Sequence, residues 1–218
     1  MLRTIPLPVE WRLVLSAGGH GRVLLDGLRE NGILVHGVLD PDLATGSAVL
    51  GVPVLGTDDY LTSCHPASTA LLIGLGANPD TGLRQALFER TIRGGFAIEG
   101  FQHRSAIVSP TATTEEGAHV MACAVIHTNS EIGRNVIINT AVIVEHDCRI
   151  GDHSAISPGA VLCGGVIVGE LAFIGANATV LPGVTIGPRA IVGAGSVVTC
   201  DIDADAIVVG NPARTAGS

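Results

Sequence analysis

Stepping by six from Ile132 meets Ile138, Val144, Ile150, Ile156, Leu162, Val168, Ile174, Val180, Ile186, Val192 and Val198, an aliphatic side chain every time. Ile, Leu and Val make up 64 of the 218 residues, so chance would fill about three or four of these twelve positions. Two residues before each stands a second series: Ser130, Val136, Val142, Cys148, Ser154, Ala160, Val166, Ala172, Ala178, Val184, Ala190 and Ser196. Every member of it is small or β-branched. A period of six does not suit an α-helix. It suits short strands separated by sharp bends, with one large residue per side pointing inward and a small one in the tight corner. Three sides of six close a coil of eighteen residues. Glycine often follows the aliphatic directly, at Gly133, Gly151, Gly169, Gly175, Gly187 and Gly193, where positive φ is expected.

Going backward, Ile126, Val120 and Val108 keep the register and Thr114 breaks it, which sets the start of the stack near Ile107 and its size at about five coils. Aromatic residues are only 3% of the chain, so stability must come from this column, each buried aliphatic contributing roughly 1.5 to 3 kcal/mol. The hexapeptide pattern resembles the hexapeptide-repeat acyltransferases. That resemblance, and not the spacing, implies a left-handed parallel β-helix, a homotrimer of parallel prisms, and acyl-CoA in the groove between neighbours.

The first half reads differently. A strand at Trp11 to Leu15 leads into Ser16-Ala17-Gly18-Gly19-His20-Gly21-Arg22, a helix to about Glu30, an Asn31-Gly32 stop, and a strand from Ile33 to Leu39 that ends at Asp40. A further strand at Ala70 to Gly74, a helix around Thr81 to Arg93 and a short strand near Phe96 to Ile98 complete a small parallel sheet. The expected organisation is an α/β Rossmann-like domain over 1–102, a linker near Phe101 to Ser105, and an all-β domain over 103–218. The loop does not satisfy G-x-G-x-x-G, since Leu24 stands where the third glycine belongs, which disfavours a nicotinamide cofactor. A glycine-rich turn at a helix N-terminus still offers N–H groups to phosphate, and a carboxylate ending the second strand is placed for a ribose hydroxyl. Gly18, Gly19, His20 and Asp40 are therefore candidate nucleotide contacts, the alternative being a tight turn with a solvated Asp.

Net charge is −8, so no large basic surface is available for nucleic acid. Every apolar run is broken well short of the ~18 residues of a membrane span, and Met1 to Arg12 lacks the apolar stretch of a signal peptide. Cys64, Cys123, Cys148, Cys163 and Cys200 form neither a disulfide framework nor a zinc ribbon, and read as small buried hydrophobes in a reducing cytoplasm.

Three groups of motifs carry a more specific resemblance. They are Ile138-Asn139-Thr140 with Val144-Glu145-His146-Asp147-Cys148 and Ile156-Ser157-Pro158-Gly159-Ala160; Gly18-Gly19-His20-Gly21; and the closing Val209-Gly210-Asn211-Pro212-Ala213-Arg214. Together they resemble the sialic acid O-acetyltransferase and nucleotide-amino-sugar N-acetyltransferase family over nearly the whole chain. The resemblance implies acetyl transfer from acetyl-CoA to a nucleotide-linked amino sugar, without a metal. His146 is implied as general base with Asp147, or Glu145, as its orienting partner, and Asn139 as a contact to the acceptor. The N–H of Gly164, one coil above His146, is implied to meet acetyl-CoA, and Val209, Gly210, Asn211, Pro212 and Ala213 to approach the CoA end. Glycine at 164 is expected to leave open space above the imidazole. A base positioned this way typically contributes about 10²- to 10⁴-fold. His36, His65, His103, His119 and His127 read as structural or surface groups.

One departure stands out: the family commonly carries a second histidine where this chain has Ala155. Three other readings compete with this one. O-acetylation of sialic acid or a related sugar gives less reason for a nucleotide-gripping βαβ unit. A zinc β-helix carbonic anhydrase needs a histidine pair five apart, which the chain lacks. A non-catalytic nucleotide-sugar-binding scaffold leaves Glu145-His146-Asp147 and Gly164 without a role.

Overall fold

The structure, a computed structural model, describes residues 10–77 and 79–216. The segments 1–9 and 217–218, and with them most of the Met1 to Arg12 stretch, lie outside the described residues. By contacts the chain divides into two compact units: residues up to Gly76 together with Ala86–Glu99, and Ala77–Gln85 together with Gly100 onward.

The first unit is a mostly parallel sheet. Its elements are β1 (Trp11–Leu15), α1 (Gly19–Glu30), β2 (Gly37–Leu39), β3 (Ala48–Val49), β4 (Val52–Gly56), β5 (Thr69–Ile73), α2 (Gly82–Arg93, of which Ala86 onward belongs to this unit) and β6 (Ala97–Ile98), in the strand order β3-β4-β2-β1-β5-β6. β1 lies between β2 and β5 and runs parallel to both, so the chain reverses its direction of growth beside the tip of β1. β1, β2 and β5 bury nearly every residue, which is why they read as continuous apolar runs. The second strand is shorter than expected, because Ile33 to His36 form a connection whose His36 Nδ1 accepts from the Arg12 N–H. The short β3–β4 hairpin was not expected. The tight turn Leu50-Gly51 joins its strands without the alternating pattern that marks a hairpin.

The second unit is a left-handed parallel β-helix. Its first face carries strands from Phe101–Gln102 through His119–Val120, Ile137–Ile138, Ala155–Ile156, Phe173–Ile174 and Ile191–Val192 to Ile207–Val209. The second face runs from Ile107–Val108 through Val125–Ile126, Ile143–Val144, Val161–Leu162 and Thr179–Val180 to Val197–Val198. The third runs from Thr113–Thr114 through Glu131–Ile132, Arg149–Ile150 and Ile167–Val168 to Thr185–Ile186. All twelve inward aliphatics from Ile132 to Val198, and all twelve residues of the small series, are buried in one continuous core. Corner polar groups are satisfied across coils: the Ser130 and Ser154 hydroxyls donate to the carbonyls of Glu145 and Gly169 at 2.7 and 2.8 Å.

Four expectations are corrected. The stack begins one side earlier than Ile107: Phe101–Gln102, expected as linker, pairs with His119–Val120, and the second face has six rungs rather than about five. The hexapeptide register hides this rung because its inward position holds exposed Gln102, while Phe101 packs in. The glycines after the aliphatics do not take positive φ. That conformation falls two residues later, at Asn129, Asn135, Asp147, His153, Leu171, Asn177 and Arg189 among others. The glycines serve close stacking instead: a Cβ on Gly151 or Gly169 would lie 2.6 or 2.5 Å from the backbone nitrogen of Glu170 or Pro188 in the next coil. Finally, of the five unbridged cysteines only Cys148 is buried, and Cys123 and Cys200 are exposed at corners, where side chains point outward.

The outward residues distinguish the faces. On the first face Ile137, Ala155 and Phe173 are buried, with Ala77 packed against them. Nearby, Arg84 donates to the carbonyls of Asn135 and Gly117 and fixes the Ala77–Gln85 segment to the coils. The third face presents Thr113, Glu131, Arg149, Ile167 and Thr185. The second face presents Ile107, which is 67% exposed, and the half-buried Val125, Ile143, Val161, Thr179 and Val197.

Candidate active site

After inward Val144 the coil turns from its second face to its third through Glu145-His146-Asp147-Cys148. Asp147 adopts φ 60°, a conformation that Asp tolerates better than most residues, and its N–H donates to the carbonyl of Thr128 in the coil below at 3.0 Å. The Cys148 side chain is buried, so the corner is anchored on both sides of His146 and the imidazole projects outward, 58% exposed. Its Nδ1 lies 2.8 Å from Oδ2 of Asp147. The other oxygen of Asp147 accepts from the Asn129 amide at 3.3 Å. Hydrogen bonds from the imidazole and from Asn129 hold the Asp147 carboxyl below the usual carboxylate range. An ionised carboxylate only accepts, so the proton of a neutral imidazole sits on Nδ1 and the lone pair on Nε2 is left for chemistry.

Gly164 stands over His146 as the eighteen-residue step requires. A Cβ there would come within 2.5 Å of both Cε1 and Nε2 of the imidazole. The space expected above the imidazole is therefore taken by the imidazole itself. The N–H of Gly164 donates to no atom among the described residues. The Glu145 carboxylate turns toward His127, whose Nε2 is 3.8 Å away.

The glycine turn of the first unit has its own geometry. Ser16 takes φ 73° after β1, and its N–H donates to Leu39. Asp40 is buried and accepts from the N–H groups of Ala17 at 2.7 Å and Asp42 at 2.9 Å. It is thus not a solvated residue but a brace that ties the turn to the end of β2. A Cβ at either Gly21 or Gly74 would strike the Ser16 carbonyl, so these two glycines let α1 approach the strand tips. Gly18 and Gly19 have no such reason to be glycine: nothing lies within 4 Å of a Cβ at either. Gly18 caps α1 with no side-chain hydrogen bond, and both glycines are exposed at the helix N-terminus, the kind of site where an anion can bind.

Residues 129–164 and 165–200 match the bacterial transferase hexapeptide (six repeats) family, and residues 13–91 match the PglD N-terminal domain. A variant of perosamine N-acetyltransferase from Caulobacter crescentus, solved with CoA and GDP-perosamine, is 39% identical; the alignment covers 96% of this chain and 98% of that one, with a TM-score of 0.90. The acetyltransferase domain of PglB from Neisseria gonorrhoeae, solved with acetyl coenzyme A, is 35% identical over 94% of this chain and 98% of that one, with a TM-score of 0.86. WeeI from Acinetobacter baumannii is 28% identical over 94% and 99%, with a TM-score of 0.85.

The chain belongs to the hexapeptide-repeat nucleotide-amino-sugar acetyltransferases.

In this acetyltransferase His146, Asp147 and Gly164 meet at one corner, and other candidates stand elsewhere. Asn139 follows the first face and lies at the corner before the second; its Oδ1 accepts from the Thr140 N–H at 2.8 Å. The Val209 to Ala213 segment folds back on the start of the last second-face rung: the N–H of Val197 donates to Gly210 at 3.0 Å and that of Ala213 to Val197 at 2.8 Å. Val209, Asn211 and Pro212 are exposed there and Ala213 is buried. Ala155 lies under the first-face cover, away from the corner that carries His146. Gly18, Gly19, His20 and Asp40 belong to the other unit. The sequence reading missed Asn129, which the step of eighteen back from Asp147 reaches, and Gly21 and Gly74, whose role needs the sheet; His127, read as a structural or surface group, lies exposed beside Glu145. Among the described residues of the acetyltransferase no helix is long and apolar enough to cross a membrane.

Proposed function

We propose that this acetyltransferase moves the acetyl group of acetyl-CoA to the amino group of a nucleotide-linked amino sugar, with His146 as general base. The observation that carries the reading is the imidazole at the Gly164 corner, with Nδ1 fixed 2.8 Å from Asp147 and Nε2 free. The acceptor nitrogen attacks the thioester carbonyl as its proton passes to Nε2; the C–S bond then breaks and the proton goes on to the CoA sulfur. The Gly164 N–H is a donor for the pantetheine arm or the developing oxyanion. Gly18, Gly19 and His20 contact the nucleotide phosphates at the start of α1, and Asp40 acts there by holding the turn. In complexes with CoA, and with GDP-perosamine in one case, the similar proteins from Caulobacter and Neisseria support this choice of substrates.

The test is an assay of the purified chain with acetyl-CoA and a panel of UDP-, GDP- and dTDP-linked 4-amino sugars, read by mass for the acetylated sugar. Transfer to one of the panel is expected. Binding of both substrates without any product would defeat the reading and leave a scaffold.

The working form in this proposal is a cytoplasmic homotrimer. Five unbridged thiols suit a reducing compartment. The second face is apolar and uncovered, and the corners on its two sides carry Asn139 with the Val209 to Ala213 segment on one and His146 with Gly164 on the other. Copies meeting through this face complete each His146 corner with the Asn139 corner of a neighbour. Val161→Asp on the second face is expected to give monomers by light scattering with activity lost, whereas Thr185→Asp on the third face leaves both unchanged. The opposite pattern excludes assembly through the second face.

A further inference from the structure

The corner that carries His146 continues downward as a ladder of polar groups that the reaction chemistry does not itself require. Asn129 stands one coil below Asp147, and its side-chain amide reaches Oδ1 of that carboxylate at 3.3 Å. Because an ionised carboxylate has only acceptors, the NH₂ end of the amide must face it. Asn129 is fixed in turn through its backbone: its N–H donates to Thr111 Oγ1 at 3.1 Å, and that hydroxyl is 2.6 Å from Thr128 Oγ1. The residue takes φ 58°, left-handed backbone in which Asn is at ease. Thr111, Asn129, Asp147 and His146 thus form one connected line along the outside of the prism.

The line answers a mechanical question that the His146–Asp147 pair leaves open. Both side chains of that pair are 58% exposed, and an exposed pair held by one contact loses its geometry to rotamer motion and to competing water. Asp147 can turn its carboxylate away from the imidazole about its own χ angles unless the second oxygen is held. Asn129 holds that oxygen, from a rigid coil, on the side away from the imidazole. We infer that Asn129 is a positioning residue for acetyl transfer, acting through Asp147 to keep the Nδ1 contact of His146 formed. The inference rests on the reading of His146 as the base and deepens it. Asn129 itself has no hydrogen bond to the imidazole; its side-chain amide reaches Asp147.

Asn129→Gly is the informative variant. Glycine suits φ 58° and retains the N–H that Thr111 receives, so the amide is removed while the turn is kept. Kinetics of acetyl transfer are compared for the wild type, Asn129→Gly, Asp147→Ala and the double variant, each checked for an unchanged thermal midpoint. Asn129→Gly is expected to lower kcat about three- to tenfold, with the KM for acetyl-CoA unchanged, the size of one hydrogen bond to a charged group near solvent. In the Asp147→Ala background the same change should alter kcat by less than about twofold, because the group it acts through is gone. Asn129→Asp keeps the shape and the backbone preference but sets a like charge against Asp147, and is expected to lower kcat further than glycine does.

An equal effect of Asn129→Gly in both backgrounds, or none in the wild type, overturns the positioning role while His146→Ala remains inactive. A fully active His146→Ala variant overturns the base itself, and the positioning role falls with it.

Discussion

At the corner between the third and first faces, the residue after each inward aliphatic is Gly133, Gly151, Gly169 or Gly187. At the corner between the second and third faces the same position holds Ser109, His127, Glu145, Cys163 or Leu181. The first column stacks so closely that a Cβ would meet the backbone of the next coil. The second column has room for whole side chains, and the position after it carries His146. One repeated backbone therefore yields a corner that stabilises the stack and a corner that presents chemistry, and the difference lies in what the next coil places overhead. Gly164 belongs to the second kind despite being glycine, since the atoms that a Cβ would strike there belong to a side chain.

The largest break in the comparison is His146→Ala. It removes the proposed base from a corner whose core contacts are made by Val144 and Cys148, both fully buried. Transfer should fall about 10²- to 10⁴-fold, and the thermal midpoint should not move. A midpoint several degrees lower would mean that this corner, too, is structural.

The two kinds of glycine separate next. In Gly164→Ala the new methyl displaces an exposed imidazole, which can swing away, so the fold is kept and the proposed base is moved; about 10²-fold less activity is expected at an unchanged midpoint. In Gly169→Ala the methyl meets the Pro188 nitrogen, which cannot move without its coil. Destabilisation of about 1–3 kcal/mol is expected from chemical denaturation, with the folded fraction retaining its turnover number. Reversed outcomes at the two positions would dissolve the distinction.

How legible all this was in the sequence follows from the same contrast. The inward column repeats at a fixed step, so the β-helix core and the stacking of Gly164 over His146 could be counted off. The conformational reason for Gly151 and Gly169 could not, because a glycine that avoids a neighbouring coil looks the same on paper as one that turns left-handed. The start of the stack was hidden by Gln102, which breaks the pattern where the prism ends and no coil lies below to demand an aliphatic. Asp40 was placed correctly at the end of its strand, yet its engagement by Ala17 and Asp42 depends on how a loop of the first unit closes, and no periodicity reports that. At the site, the sequence favoured Asp147 over Glu145 as the partner of His146 without showing a contact; the left-handed turn at 147 places the Asp147 carboxylate at Nδ1, while Glu145 faces His127.

That placement has a titration signature. The Asp147 carboxyl is held below the ordinary range, first by the His146 hydrogen bond and then by that of Asn129. A folded-state value below the unfolded one means that the contact is fully present above the ordinary carboxylate range and lost as pH falls through the depressed value. Carbon-detected NMR should therefore find Asp147 titrating below a free aspartate, and closer to it in His146→Ala. Asp147→Asn should cost about tenfold in kcat, the low end for a hydrogen bond to a charged group because both partners face solvent.

The smallest effect is expected at Glu145, and it is the sharpest test of the corner's geometry because the residue is as near to His146 in sequence as Asp147 is. Its carboxylate faces His127 at 3.8 Å, an exposed pair whose loss costs little. Glu145→Gln should leave kcat within about twofold of the wild type, since a half-exposed charge that does not touch the imidazole is screened by water. His127→Gln, which frees Glu145 without altering the Asp147 contact, should do no more. If Glu145→Gln instead matched Asp147→Asn, the free chain would have to rearrange on binding acetyl-CoA so that the two carboxylates exchange roles, and a corner held by the Thr128 and Ser130 hydrogen bonds offers no path for that without breaking them.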